Sequence, residues 1–373
     1  MYHSINDYPK ENPLGHLSQS VSEFIEHLSF FKDEGFEFIT LPELLQKALT
    51  DEIGDKRIIV LTFDDGFLDN YLLAADILEQ FKARGTLFVN PGQATKDKSR
   101  TLQDYPNAWG FLNFSEIREL ERRGIFDIQS HSMTHDDIFI SDQLIDLYSP
   151  DKFDKYYWMI WMLYPFTKKE WHGDIKRFAG LVPSGYPIFK RGRCLEGAQF
   201  IPSAGFVDLC IGQFASKGID CISDLTKYPD QGQYESEQDY LVRVDQQLKD
   251  SKTVLESELS KKIEYICFPG NVYTRPILSL AADIGYKVFI DAGKESPGDN
   301  LTALRNASKT LSQNQMIGLK RVSLKNEIPR IVPGKTAAKW TAKLRIYNLL
   351  DHPFYSRVNS VGRMVKSIIK RQN

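Results

Sequence analysis

Arg57-Ile58-Ile59-Val60-Leu61-Thr62-Phe63-Asp64-Asp65-Gly66 is an apolar run that stops abruptly at two acids and a glycine. Its length and β-branched content predict a buried strand over 57–63. Taken alone, Asp-Asp-Gly is a turn, because Asp tolerates tight turns and Gly supplies positive φ. At the end of a buried strand it is more than that. Successive residues leaving a strand point to opposite sides, so two adjacent carboxylates can take different tasks. One can hold a metal while the other faces a substrate as a base.

Working outward, strand-like and helix-like stretches alternate. Val21 to Gly35 has helical apolar spacing, with Ser20 and Glu23 set as a capping box and Gly35 as the stop. Thr40-Leu41-Pro42-Glu43 opens a shorter helix. After Gly66 a helix is predicted up to Gly85, then a strand over Thr86–Val89, a helix capped by Asn113 and ended by Gly124, and a strand from Phe126 into His131. A helix from about Glu237 to Ser260, a strand over Ile263–Phe268, a helix to Gly285, a strand over Lys287–Ile290 and a last strand at Arg321–Leu324 follow. Repeated β-then-α units imply a parallel sheet, and this many suggest a closed or nearly closed barrel with chemistry at the C-terminal strand ends. Asp64, Asp65, His131 and Pro269 all fall there.

Residues 138–233 break this rhythm. They hold Tyr156-Tyr157-Trp158-Met159-Ile160-Trp161-Met162 and are too long for a plain loop, so they are expected to form an inserted aromatic-rich subdomain. The aromatic run fits either that subdomain's core or a lid over a ligand. The expected organisation is barrel at 1–137, insertion at 138–233, barrel again at 234–333 and a basic tail at 334–373. That tail carries nine Lys and Arg against Asp351 alone, although the whole chain has a net charge of -2. Within it Val358, Val361, Val365 and Ile368 recur at helical spacing beside Arg363, Lys366 and Lys370, a pattern that suits a helix lying on an anionic membrane. No run approaches the roughly 18 apolar residues needed to span a bilayer. The first residues lack a secretory signal, so a cytoplasmic location, peripheral at the inner face of the membrane, is expected unless a leader has been lost. Cys194, Cys210, Cys221 and Cys267 show no C-x-x-C pairing and are expected to be free thiols, most of them buried.

His131-Ser132-Met133-Thr134-His135 places two imidazoles four residues apart. On a helical turn that spacing puts both on one face, fit for one metal. In isolation the same pattern also fits two capping or solvent-exposed histidines. Two histidines, one Asp and an open position for water make a catalytic zinc site.

Together these motifs resemble the polysaccharide deacetylases, carbohydrate esterase family 4, whose first motif reads T-F-D-D-G and second H-S/T-x-x-H. The resemblance covers roughly residues 1–137 and 234–325. It implies an α/β fold, a distorted (β/α) barrel of the polysaccharide deacetylase type with a large inserted subdomain. It also implies Asp64 as catalytic base and Asp65, His131 and His135 as ligands of a divalent metal, zinc by preference. Ile266-Cys267-Phe268-Pro269-Gly270 matches the third motif loosely, with Cys267 where many members carry an Arg that orients the base and Gly270 where they carry a Tyr. The Gly270 N–H would then serve the oxyanion.

The general acid is missing where the family usually has it, since no histidine lies between His172 and His352. The opening Met1-Tyr2-His3 instead resembles the circularly permuted exopolysaccharide deacetylase branch, which makes His3 the acid. Elimination points the same way, because His16 and His27 lie in an opening loop and the first helix, and His172 and His352 in the insertion and tail. The implied reaction is metal-assisted removal of N-acyl, chiefly N-acetyl, groups from an amino-sugar glycan or lipid-linked glycan, with no nucleic-acid partner. A small-amide deacylase or deformylase on the same barrel, and a catalytically degenerate glycan-binding protein, are the rival readings. Gly334-Lys335-Thr336 lacks the glycine-rich loop of a phosphate-binding motif, and there is no G-x-S-x-G elbow of a serine esterase.

Overall fold

A computed structural model describes residues 1–7, 14–53, 56–171, 175–291, 303–304 and 306–320. Its centre is a six-stranded parallel sheet. From one edge to the other the strands are Ile317–Lys320, Val288–Asp291, Tyr265–Cys267, Phe126–Ser130, Gly85–Val89 and Leu61–Phe63. Every neighbouring pair is parallel. Such a sheet must be covered on both faces, which explains strands without polar alternation: all of Gly85–Val89 and all of Tyr265–Cys267 are buried.

The ladder does not close on itself among the described residues. Beyond Leu61–Phe63 the chain start runs alongside, with the Tyr2 N–H donating to the Thr62 carbonyl and the Asp64 N–H to that of Tyr2. The result is a curled, open form of the expected barrel. The predicted strand over 57–63 is two pieces. Ile58–Ile59 pairs with Glu37–Phe38, and after Val60 the segment Leu61–Phe63 joins the main sheet. The single helix predicted after Gly66 is a π-helical turn, Asn70–Ala74, continued by the α-helix Ala75–Gln80. The last strand predicted at Arg321–Leu324 and the tail at 334–373 lie outside the described residues.

Helix starts follow their caps. Ser20 accepts from the Glu23 N–H, Thr40 and Glu43 form a capping box, and so do Asn113 and Glu116. The helix Glu237–Leu259 buries Val244, Leu248, Ser251 and Leu255, one stripe at three- and four-residue spacing, and lies against Phe126–Ser130. No helix of the described residues is long and apolar enough to cross a membrane. All four cysteines are free and buried.

Within 138–233, the long strand Asp137–Leu147 pairs antiparallel with Pro187–Arg193, and Phe200–Pro202 pairs with Gly232–Tyr234. Tyr148, Trp158, Met159, Ile160, Trp171, Phe189 and Phe206 pack around them in a second hydrophobic core, which also takes in Leu14 and Phe67 from the barrel side.

Candidate active site

Asp64 and Asp65 leave the edge strand at the C-terminal end of the sheet. Gly66 turns the chain at φ +70°, where an added Cβ would stand 3.1 Å from Val89 Cγ1, so the turn needs a residue without one. Asp65 itself has φ +70°. His131 follows the strand Phe126–Ser130, and its N–H donates to the Val89 carbonyl. The pair His131 and His135 does not sit on a helical turn, contrary to what the spacing predicts. Ser132 and His135 both have left-handed backbone (φ +62° and +42°). The turn is held from outside: Gly92 N–H donates to the Met133 carbonyl, Asn90 Nδ2 to that of His131, and Thr134 to Gln247 Oε1. These neighbours set the ring centroids 5.1 Å apart. Positive φ at three non-glycine residues of one cluster is the kind of strain that a surrounding framework must hold in place.

Asp65 Oδ1 lies 3.2 Å from His131 Nε2 and 3.6 Å from His135 Nε2. Burial alone would push the Asp65 carboxyl up, but His135, His131 and His3 outweigh it and hold it well below the usual carboxylate range. Burial pushes His135 well below its ordinary value, against the pull of Asp65. His131 Nδ1 stands 2.6 Å from the Cys267 carbonyl, which can only accept. Nδ1 therefore carries a hydrogen, and Nε2 is the ring nitrogen aimed at Asp65. Asp65 Oδ1 is buried and accepts no hydrogen bond. Although burial opposes it, the groups around His131, Cys267 and Asp65 among them, hold its imidazole well above the ordinary value, so a positive charge, on a proton or on a cation, belongs between Asp65 Oδ1 and His131 Nε2. The separations also fit a tetrahedral ion, whose bonds of about 2.0–2.1 Å put ligand atoms roughly 3.3 Å apart. A second trio, Asp64, His131 and Cys267, also clusters among the described residues. There, however, the Cys267 thiol donates to Asp64 Oδ2 at 3.7 Å, and His131 Nδ1 is committed to a carbonyl.

Asp64 is 2% exposed, and its Oδ2 lies 3.9 Å from His3 Nε2. His3 is tied down on both sides. Tyr2 is buried, stacked on Phe63 and hydrogen-bonded to His27 Nδ1 at 3.0 Å. Ser4 Oγ and the Ile5 N–H donate to the Asp69 carboxylate, at 2.5 and 3.1 Å, and Asn70 Nδ2 donates to the His3 carbonyl. Gly270 lies after the strand Tyr265–Cys267 at φ +63°. An added Cβ there would stand 2.9 Å from Arg193 Cγ, so the insertion's arginine stem fills the space a side chain at 270 would need.

All six residues singled out from the sequence line one cavity of about 430 Å³: His3, Asp64, Asp65, His131, His135 and Gly270. Apart from the aromatic run, no motif marks its other walls. His16, read as part of an opening loop, faces the cavity, as do Gln93, Phe67, Lys168, Arg191 and Arg193. The aromatic run divides by face: Trp158, Met159 and Ile160 fill the insertion's core, while Tyr157 and Trp161 also line the cavity.

Residues 51–159 match the family model for polysaccharide deacetylase. YxkH of Bacillus subtilis (strain 168), named for the same family, is 26% identical over 135 residues, which are 36% of this chain and 42% of that protein. The match therefore spans less than half the length of this curated relative. Among solved structures, a de-N-acetylase from Aggregatibacter actinomycetemcomitans superposes with a TM-score of 0.50 at 14% identity, covering 79% of this chain and 87% of that one. The BpsB deacetylase domain from Bordetella bronchiseptica follows at 0.49 and 16%, covering 86% and 90%. At such identities the likeness is one of fold. What the comparisons share is a polysaccharide deacetylase match over residues 51–159 and, across most of the chain, the distorted-barrel fold of such a deacetylase.

Proposed function

We propose that this protein is a metal-dependent hydrolase that removes N-acyl groups, chiefly N-acetyl, from an amino-sugar glycan or lipid-linked glycan. One observation carries the reading. The cluster Asp65–His131–His135 opens into the same cavity as a buried carboxylate, Asp64, with an imidazole, His3, 3.9 Å from it. A binding module has no need of a cation site, a base and an acid in one hole, which counts against the degenerate glycan-binding alternative.

Asp65, His131 and His135 would hold the ion, zinc by preference. Such an ion supplies Lewis-acid polarisation of the acyl carbonyl and a more acidic water. Asp64 takes the proton of the attacking water as the C–O bond forms. The Gly270 N–H donates to the carbonyl oxygen as it gains negative charge. His3 gives its proton to the nitrogen as the C–N bond breaks, because an amine leaves poorly unless protonated. The products are a carboxylate and a free amino sugar.

The cavity's modest size and its wall of insertion residues favour a short substrate or a chain end over the middle of a long polymer. That same observation keeps a small-amide deacylase as the second reading. Metal analysis of the purified protein, with deacetylation assays on N-acetyl oligosaccharides of one to six units, tests both. One divalent ion per chain and chelator-sensitive release of acetate are expected. Rates that peak on a small amide with no sugar would favour the second reading. Metal content that survives replacement of both His131 and His135 by Ala would defeat the ligand assignment.

A further inference from the structure

The insertion brings two guanidiniums to the cavity. Arg191 and Arg193 stand two residues apart on the strand Pro187–Arg193, so their side chains leave on one face. Both reach the same carboxylate: Arg193 Nη1 lies 2.6 Å from Asp137 Oδ1, and Arg191 Nη1 lies 3.3 Å from Asp137 Oδ2. Asp137 is the residue paired with Arg193 in the ladder. Its side chain is 10% exposed, while those of Arg191 and Arg193 are 44% and 31% exposed. One anion therefore anchors two cations, and one positive charge remains. The nearby Glu196 does not cancel it by pairing, because its carboxylate takes the Arg193 backbone N–H instead. Lys168 is matched by Asp136 at 2.7 Å.

The fork of each guanidinium is mostly unused. Of five N–H donors apiece, each spends one nitrogen on Asp137, and the others have no partner among the described residues. Arg191 is braced by the Trp158 ring, 5.0 Å from its guanidinium carbon, and Arg193 by its stem against Gly270. On the same wall Trp161, 8% exposed, has a buried indole N–H without an acceptor. Donors and surplus positive charge thus border the position where the acyl group would react, and planar forks suit a carboxylate or phosphate.

We propose that Arg191 and Arg193, held by Asp137, form an anion-binding subsite that selects substrates with a carboxylate or phosphate beside the N-acylated sugar. This rests on the hydrolase reading but concerns which substrate the site takes. Three substrates separate the cases: a neutral N-acetyl-chitotriose, an N-acetylglucosamine trisaccharide containing glucuronate, and N-acetylglucosamine 1-phosphate.

At least one anionic substrate should exceed the neutral one in kcat/KM by tenfold or more, chiefly through KM, with the advantage shrinking as salt rises. In R191Q/R193Q that ratio should fall towards one, while R193K should keep most of it. Preference for the glucuronate compound assigns a uronic-acid polymer. Preference for the phosphate assigns a sugar phosphate or its lipid-linked form. Equal kcat/KM for neutral and anionic substrates, or a ratio unchanged in the folded double variant, overturns the subsite. If nothing is turned over, the hydrolase reading fails by itself, and the subsite is judged by calorimetry with inorganic phosphate and free glucuronate. Binding that R191Q/R193Q abolishes sustains it, and no binding by the parent protein overturns it.

Discussion

At the scale of single residues, the chemistry depends on how firmly two short segments are fixed. His3 stands outside the six-stranded sheet, where none of its ladders holds it. It is instead bracketed by Tyr2 and by the Asp69 and Asn70 contacts to Ser4, Ile5 and its own carbonyl. His3→Ala should therefore lower the catalytic rate by about 10²–10⁴-fold and leave metal content unchanged, as measured by steady-state kinetics beside metal analysis. Asp64→Asn should abolish turnover with metal retained, since the amide keeps the shape but cannot take the proton; activity within tenfold of the parent would place the base elsewhere. The same anchor has a pH signature. Burial pushes His27, the partner of Tyr2, down to about 4 from an ordinary value near 6.5. The folded state holds it neutral, so its stability is complete above about pH 6.5 and is lost as pH falls towards 4. Between pH 7 and 4.5 the parent should lose about 2–3 kcal/mol more unfolding free energy than His27→Gln. Equal losses in urea titrations would mean that His27 is not the titrating group.

The elements differ in how far they could be read in advance. Thr62-Phe63-Asp64-Asp65-Gly66 and His131 to His135 announce themselves because local spacing and strand ends suffice to place them. Caps at Ser20, Thr40 and Asn113 are likewise local, and each stands at its predicted helix start. What spacing misses is whatever distant chain imposes. The turn at 131–135 takes its left-handed residues from contacts with Asn90, Gly92 and Gln247. Arg193 meets Asp137 across 56 residues, through an antiparallel pairing that no short pattern encodes. A further tie of this kind fixes a cavity wall. Glu116, with a fully buried side chain, caps its helix and also takes Arg100 Nε at 2.8 Å and Nη2 at 2.7 Å. Arg100 Nη2 in turn donates to the carbonyl of Phe111, a wall residue. Glu116→Ala removes the cap and leaves a largely buried guanidinium unpaired, so it should cost about 3–5 kcal/mol of stability. Thermal and urea unfolding check this. A loss near 1 kcal/mol, that of a lost cap alone, would mean that Arg100 finds water instead.

For the whole molecule, charge is distributed by region. Gly334 to Asn373 carries nine Lys and Arg against one acid, while the chain as a whole is at -2, so the remainder is distinctly acidic. The two regions must then respond oppositely to an anionic surface, which attracts the first and repels the second. Attraction is worth about 1 kcal/mol per basic residue close to such a surface, so three or four contacts suffice for measurable adsorption. If the substrate is lipid-linked, adsorption also raises its local concentration at a cavity that favours short acceptors. We therefore propose peripheral contact with the inner face of the membrane through this tail. Full-length protein should sediment with anionic liposomes at low salt and release as salt rises, because the Debye length shrinks from about 10 Å at 0.1 M to about 3 Å at 1 M. Neutral liposomes should bind neither form. A variant truncated after Pro333 that retains its activity on a soluble substrate should stay in the supernatant. If it sediments with anionic liposomes as well as the full chain does, the tail is not what holds the protein there.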